Sequence, residues 1–325
     1  MTELRTKCPG QDTDTLCSLF GKSRQAYYQR IRYSYKEEVK AEILLQLIAS
    51  ERKLMPRLGG KKLLYKIKPI LPKELSIGRD KFFSFLREHN LLVRRKHYRA
   101  YTTMSKHWLR KYPNLIKDFV STAPDQLWVS DITYIKTAEG FVYLFLITDA
   151  YSRKIVGWSV SDNLEAVNAI RALNMAISQL PADVTDLIHH SDRGVQYCSG
   201  KYVKILDKHG FRISMTEGGN PLDNAIAERI NGILKVEWLY EMNFRTKKQV
   251  KAQVRKVINI YNTERPHSSI DMLTPEQAHK RSGKLKRHWK NYWNTNQNEK
   301  SKKEAQSSFL CSATLHKKMN STSRF

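Results

Sequence analysis

The central part of the chain carries the hydrophobic patterns of β-strands. Residues 126–136 alternate apolar and polar positions, which predicts a strand that includes Asp131. After a turn at Gly140, residues 141–152 and 152–161 predict two more strands. Because the connections between these segments are short, we expect the three strands to form an antiparallel meander.

Helices and strands alternate in the segments that follow. Asp162 or Asn163 is expected to cap the first of these helices, and Asp223 is expected to cap the last one. In order, the predicted elements are a helix at 163–180, a fourth strand ending at Asp192, a helix at 199–209, a fifth strand at 211–216 and a helix from 223 to about Tyr240.

This order of elements indicates an α/β fold of the RNase H-like class, with a mixed five-stranded sheet and flanking helices. In that topology the first and fourth strands lie side by side. Asp131 on the first strand and Asp192 at the end of the fourth are therefore expected to meet. The catalytic core of such a protein would occupy residues 121–282.

The first part of the chain carries helical patterns instead. Asp14 or Thr15 could cap a short helix, Gly21 ends it, and Ser23 could cap a second helix. An amphipathic helix at 36–54 follows. A helix, a glycine turn and a second helix with basic and aromatic residues form the outline of a helix-turn-helix.

Residues 55–99 predict two further helices, at 61–71 and 78–90. The second of them places Phe82, Phe83 and Leu86 on one apolar stripe. The pattern fits a second helix-turn-helix that contacts DNA, and it fits equally a small helical domain with a solvated basic face. The candidate DNA contacts are Arg79, Lys81, Arg94, Arg95 and Lys96.

The distribution of charge favours the DNA-binding interpretation. The net charge is +26, which indicates a polyanionic partner such as DNA. Residues 1–120 contain 27 basic and 11 acidic side chains, residues 121–240 contain 11 and 14, and residues 241–325 contain 19 and 6. A slightly acidic centre between basic arms suits a metal-binding core between segments that hold DNA.

Three carboxylates of the central part are the candidate catalytic and metal-binding residues. Asp192 follows Asp131 by 61 positions, and Glu228 follows Asp192 by 36. At about 100° per residue, Glu228 and Lys235 lie on the helix face opposite the apolar side chains. A solvated Glu–Lys face is the usual explanation of such a pair, and only the coincidence with two aspartates at strand ends argues for a site.

Acids from separate elements can hold two Mg²⁺ or Mn²⁺ ions about 3.5–4 Å apart for an in-line displacement at phosphorus. The nucleophile would be water or a DNA 3′-hydroxyl, and Lys235 would contact a phosphate. His189, His190, Asp149 and Glu217 are expected to pack or face solvent rather than bind metal. The Gly-Gly turn at 218–221 is expected to form a mobile loop before the catalytic helix.

Neither cysteine usage nor hydropathy points to an exported protein. The four cysteines are scattered and form no CxxC pair, and no stretch approaches the about 18 apolar residues that cross a bilayer. We expect a cytoplasmic, nucleoid-associated protein without a membrane partner.

Several motifs closely resemble the integrase-type core of bacterial insertion-sequence transposases made from two overlapping reading frames. They are DITYI at 131–135, HSDRGVQY at 190–197, GNPLDNAIAERINGILKVE at 219–237 and YNTERPHSSIDMLTPEQA at 261–278. The resemblance covers residues 124–280, approximately, and extends more loosely to LGGKKL and FFSFLREHNLL within 57–92. One departure lies in this loose part: LGGKKL stands where the family often has an aromatic-Gly-aromatic basic run.

This resemblance implies the aspartate-aspartate-glutamate (DDE) chemistry shared with retroviral integrases, carried by Asp131, Asp192 and Glu228, with Lys235 as DNA contact. It also implies copy-out transposition through a circular intermediate, with terminal inverted repeats and target DNA as double-stranded partners. We expect a homo-oligomer on DNA, together with a first-frame transposase protein as a candidate partner.

Other functions remain open at this stage. They are an RNase H-like nuclease that cuts without joining, a catalytically silent transposase-derived regulator, and a serine or tyrosine recombinase. The expected organisation is an N-terminal helical region at 1–54, a helix-turn-helix-like domain at 55–99, a linker at 100–120, the core at 121–282 and a basic, disordered tail at 283–325.

Overall fold

The computed structural model describes residues 10–93, 107–217 and 223–288. Its N-terminal part is helical, as the sequence patterns predict. The helices are α1 (Thr13–Ser18), α2 (Arg24–Leu54), α3 (Gly60–Ile67) and α4 (Arg79–Glu88), with a 3-10 turn at Lys73–Leu75 between the last two.

Helix α2 corrects the prediction of two separate helices. It is continuous over 31 residues, because neither glycine nor proline interrupts the sequence between Arg24 and Leu54. Ser23 caps it as expected, since its side chain accepts a hydrogen bond from the Ala26 amide. The cap predicted for α1 is wrong: the N-cap is Asp12, whose carboxylate accepts from the Asp14 amide.

The predicted apolar stripe of α4 is present, with Phe82 and Leu86 buried. Helix α3 is shorter than predicted and ends at Ile67, two residues before Pro69, which has no backbone N–H to continue the helical hydrogen bonds.

Five strands form one mixed sheet in the order β3-β2-β1-β4-β5, as predicted. The first three pair antiparallel, while β1 with β4 and β4 with β5 pair parallel. The strands are β1 (Leu127–Thr137), β2 (Gly140–Asp149), β3 (Ile155–Ser161), β4 (Ile188–Ser191) and β5 (Arg212–Met215).

The helices of the core are α5 (Ala166–Ile177), α6 (Val195–Cys198), α7 (Gly200–Lys208), α8 (Ala225–Glu237), α9 (Lys247–Thr263) and α10 (Pro275–Ala278). A 3-10 turn at Leu239–Glu241 follows α8.

Two predicted caps of these helices are wrong. The N-cap of α5 is Glu165, without a side-chain capping bond, and Asn163 instead hydrogen bonds within the preceding turn. The N-cap of α8 is Asn224. Asp223 is used elsewhere, because its carboxylate accepts from the Glu217 amide at 2.9 Å.

The sheet separates two apolar layers. On one face α5, α6 and α7 pack around Trp128, Leu173 and Tyr202. Gly157 on β3 permits the close approach of α5 on this face, since a Cβ at that position would lie 2.2 Å from the Ala172 carbonyl oxygen. The cluster on the other side includes β1, β2, α8 and α9, and it continues without a break into α2, α3 and α4 through buried side chains such as Leu44.

Polar contacts reinforce this junction at the C-terminal end of α8. The Trp238 indole N–H donates to the Leu54 carbonyl at 2.8 Å, and Arg57 pairs with Glu241 at 2.9 Å. Glu237 accepts two hydrogen bonds from the buried Arg265, at 2.7 and 2.6 Å. The N-terminal helices and the sheet domain therefore share one core and one set of buried polar contacts.

Two segments predicted as a linker and a tail contact the core. Along residues 107–120, the Pro113 carbonyl accepts from the Met215 amide of β5, and the Leu115 amide donates to Ser214 Oγ. Farther on, the Gly283 amide donates to the Thr122 carbonyl. None of the helices in the described ranges is long and apolar enough to cross a membrane.

Candidate active site

The parallel pairing of β1 and β4 brings the two predicted aspartates to neighbouring positions. Ser130 and Ser191 are partners in the register, so Asp131 and Asp192 are the next residues along these two neighbouring strands. Asp131 lies within β1, whereas Asp192 lies just beyond the end of β4, where its Oδ1 accepts from the Gly194 amide at 3.0 Å. The adjacency inferred from strand order is present in the structure.

Helix α8 supplies the third acid and is fixed to β1 by two amide side chains. Asn224 Nδ2 donates to the Ser130 carbonyl at 3.0 Å, and Asn231 Nδ2 donates to Asp131 Oδ2 at 2.8 Å. Between them the buried Ala227 packs against the sheet, which leaves Glu228 exposed. These asparagines were not anticipated; Asn231 lies three positions after Glu228, and that helical spacing is the signal that could have revealed it.

Burial and neighbouring acids raise the proton affinity of Asp131 and Glu228. Burial raises the pKa of Asp131 to about 7, and the charges of Asp192 and Glu228 add to this effect against hydrogen bonds from Asn231 and the Ile132 amide. Burial and then the Asp192 charge also raise the pKa of Glu228. The site therefore concentrates negative charge that nearby donors only partly compensate.

The donor set fits a hard divalent cation. Asp131, Asp192 and Glu228 offer carboxylate oxygens, which Mg²⁺ and Mn²⁺ prefer over nitrogen and sulfur ligands. A cation there would relieve the mutual repulsion of the acids and favour their ionised forms.

Lys235 lies on the same helix and points towards the acids. Its Nζ is 4.5 Å from the ring centroid of Tyr134 and 6.0 Å from that of Tyr240. Burial lowers the pKa of this ammonium, and the nearby charge of Asp131 opposes that shift. Lys235 is thus partly withdrawn from water, in contrast to the freely solvated helix face considered from the sequence.

The two adjacent histidines are buried on opposite faces of the sheet. His189 Nε2 contacts Ser130 Oγ at 2.7 Å and the Tyr202 hydroxyl at 2.9 Å, and burial lowers its pKa to about 3. His190 Nδ1 contacts Ser214 Oγ at 2.8 Å, and burial lowers its pKa to about 4. Both rings are neutral at pH 7 and engaged in packing, in line with the expectation from sequence.

A second acidic cluster lies where β1 begins and β2 ends. Asp125, Asp149 and His279 have ligand atoms within 4.8 Å of one another, and they are the one such group of three in the ranges that the structure describes. Asp131, Asp192 and Glu228 are spaced more widely than this. Of these three residues only Asp149 was considered from the sequence, and no pattern linked it to Asp125 or His279.

In this second cluster the His279 ring lies between two carboxylates. His279 Nε2 lies 3.6 Å from Asp125, and the other ring nitrogen, Nδ1, lies 3.8 Å from Asp149. Asp149 already accepts hydrogen bonds from the Asp125 amide and from the amide and hydroxyl of Ser152. The imidazole therefore bridges two carboxylates, and one ion could not use both of its nitrogens.

The remaining predicted site residues divide into two groups. Arg79 and Lys81 are exposed at the start of α4, where Arg79 pairs with Asp80 at 3.0 Å. Glu217 pairs with Lys117 at 2.6 Å. The basic arm Arg94, Arg95 and Lys96 and the glycine turn at 218–221 lie outside the described residues.

Two family descriptions match the chain. Both are named integrase core domain, and they match residues 121–221 and 209–275. The chain is 34% identical over 265 residues to the insertion element IS600 uncharacterized 31 kDa protein of Shigella sonnei, covering 80% of this chain and 96% of that protein.

The chain is also 38% identical over 182 residues to the transposase for insertion sequence element IS904 of Lactococcus lactis, covering 54% of this chain and 72% of the relative. Among solved structures, the HTLV-2 integrase catalytic core domain in complex with magnesium aligns with 49% of this chain and 99% of its own length, at 19% identity and a TM-score of 0.40.

Proposed function

Because the chain belongs to the insertion-sequence transposases with an integrase core domain, we propose that it cuts DNA at the ends of an insertion sequence and joins these ends to target DNA in a magnesium-dependent reaction. The chain is a transposase with an integrase catalytic core. The proposal concerns the residues that carry the reaction, the ions, and the DNA.

The convergence of Asp131, Asp192 and Glu228 carries this proposal. The acids come from two adjacent strands and from a helix fixed to the first strand, and their charges raise the pKa values of Asp131 and Glu228. Structural acids are usually neutralised by donors or cations, whereas this trio retains negative charge suited to metal binding.

In the proposed reaction Asp131, Asp192 and Glu228 would hold two Mg²⁺ or Mn²⁺ ions, which would supply charge stabilisation for an in-line displacement at phosphorus. Asn231 orients Asp131 through its hydrogen bond, and Asn224 anchors the start of α8 on β1. Lys235 binds a phosphate oxygen of the DNA strand beside the scissile bond. Water is the nucleophile for cleavage, and a DNA 3′-hydroxyl is the nucleophile for strand transfer.

The proposed partners are terminal inverted repeats and target DNA. Arg79 and Lys81 are exposed for phosphate contacts, and the strong positive charge of the chain supports such binding. We further propose copy-out transposition through a circular intermediate, a homo-oligomer on DNA, a first-frame protein as partner, and a cytoplasmic, nucleoid-associated location. The segments 1–54, 55–99, 100–120, 121–282 and 283–325 remain the proposed functional divisions.

A strand-transfer assay with a duplex from one end of the encoding element and Mg²⁺ tests the proposal. Asp192→Asn and Glu228→Gln should reduce transfer by about a thousandfold, because each removes a charged ligand while its shape is kept. DNA binding measured in EDTA should persist in both variants.

Asp186→Asn is the matched control, since Asp186 is an exposed aspartate before β4 that pairs with Arg212 on the surface. It should transfer DNA like the wild type. Equal activity of Asp192→Asn and wild type would refute the assignment of the acids. Cleavage without joining would identify a nuclease, binding without either reaction would identify a silent regulator, and a covalent protein–DNA adduct would identify a serine or tyrosine recombinase.

A further inference from the structure

The aromatic ring beside Lys235 has no role in the reaction described so far. Tyr134 lies three residues after Asp131 on the same strand, and its ring centroid is 4.5 Å from Lys235 Nζ. This distance is well within the range of a cation–π contact. The ring of Tyr134 is itself packed edge-on against Phe141 on β2, with 5.3 Å between centroids.

This contact restrains a side chain that would otherwise be flexible. A lysine has four rotatable carbon–carbon bonds, and its ammonium can sample many positions around the helix. The face of a tyrosine ring attracts the ammonium without neutralising its charge, and the attraction strengthens when water is partly excluded. Lys235 is partly buried, so the contact lies in that stronger range.

The contact also determines what Lys235 does not bind. The ammonium feels the charge of Asp131 but forms no ion pair with a carboxylate among the residues that the structure describes. A lysine paired with Asp131 would compete with a metal ion for that oxygen. Held on the ring of Tyr134, the ammonium keeps its charge beside the acids and available to a phosphate.

We propose that Tyr134 is a positioning residue of the active site: its ring holds the Lys235 ammonium next to the acids, where the ammonium binds a DNA phosphate. This inference rests on the proposed function, because it assigns Lys235 to DNA. It adds a residue that acts on DNA only through Lys235.

Binding measurements test the proposal without relying on catalysis. In an Asp192→Asn background in EDTA, the affinity for a labelled duplex is measured as a function of salt. Tyr134→Leu should weaken binding by roughly tenfold at low salt and reduce the slope of log K against log salt by about one phosphate contact. Tyr134→Phe keeps the ring face and should remain within about twofold of the parent.

A double-mutant cycle separates positioning from packing. Tyr134→Leu should have no further effect once Lys235→Ala is present, because the ring acts through the ammonium. Phe141→Leu is the matched control: it removes an aromatic neighbour of Tyr134 that does not contact Lys235, and binding should be unchanged.

If Tyr134→Leu does not fold, phenylalanines of increasing fluorination at position 134 replace it, since they keep the ring shape and reduce the negative charge of its face. Binding should then fall stepwise with fluorination. The proposal would be overturned if Tyr134→Leu bound DNA as tightly as the parent. It would also be overturned if Tyr134→Leu weakened binding equally with and without the Lys235 side chain, or if fluorination did not change the affinity. Loss of the proposed function would appear separately, as a wild type that binds DNA but does not transfer it.

Discussion

Two carboxylate clusters lie at different positions along β1, one before its start and one at its middle, and they differ in how their charge is balanced. The Asp125–Asp149–His279 cluster is compact, and its aspartates accept hydrogen bonds from amides, a hydroxyl and the Trp128 indole. The Asp131–Asp192–Glu228 cluster is wider, and burial together with the charges of neighbouring acids raises the pKa of Asp131 and of Glu228.

The difference shows that compactness is a poor guide to a metal site. A buried carboxylate with a full set of donors is stabilised by the protein itself and gains little from a cation. A carboxylate that lies beside other carboxylates ionises more readily when a cation is bound. We therefore assign a stabilising role to the first cluster and metal binding to the second. Substitutions in each cluster test the two assignments separately.

The largest expected effect on stability comes from the compact cluster. Asp149→Ala leaves the Asp125 amide and both donors of Ser152 without their acceptor, so the free energy of unfolding should fall by about 3 kcal/mol. Chemical denaturation measures the loss. A variant as stable as the wild type would mean that this cluster does not stabilise the fold.

Added Mg²⁺ should distinguish the clusters next. At a concentration near a hundred times its dissociation constant, a single ion stabilises the folded state by about 2.7 kcal/mol. Thermal unfolding should show this gain in the wild type and in His279→Gln, but not in Asp131→Asn. The reverse pattern, with the gain lost in His279→Gln alone, would move the metal site to the compact cluster.

The smallest effect concerns pH in the absence of divalent ions. The folded-state pKa of Asp131 is raised to about 7 from an ordinary value of 3.8, so ionisation opposes folding. Stability contributed by the protonated form is complete below pH 3.8 and is lost as pH rises through 7.

Relative to Asp131→Asn, which stays neutral, the wild type should lose about 1–2 kcal/mol across this window, because partial exposure of Asp131 screens its charge. Denaturation curves of both proteins at several pH values measure the difference. If the difference in unfolding free energy between the two proteins stayed constant from pH 4 to pH 7.5, the pKa of Asp131 would not be raised in the folded state.

The sequence could predict the features that depend on local periodicity and strand order. Alternation along β1, the turn at Gly140 and the apolar stripe of α8 were enough to order the sheet and to place Asp131 beside Asp192. These features are repeated along the chain, and each has one dominant geometric solution.

Features that depend on competition between partners could not be predicted. Asp223 has the chemistry of an N-cap, but its carboxylate is taken by the Glu217 amide, so Asn224 becomes the cap. The Asp125–His279 contact joins distant parts of the chain, and nothing in either local sequence announces it. The junction of α2 and α3 with α8 is of the same kind.

That junction has a consequence for inheritance. The apolar surface that α8 and α9 share with the sheet continues into α2, α3 and α4, and the Trp238 indole N–H has its acceptor on Leu54. A genetic exchange that replaced the N-terminal helices alone would expose this surface and leave the indole without its acceptor. The N-terminal helices and the scaffold that carries Glu228 must therefore be passed on together, as one heritable unit with matched surfaces.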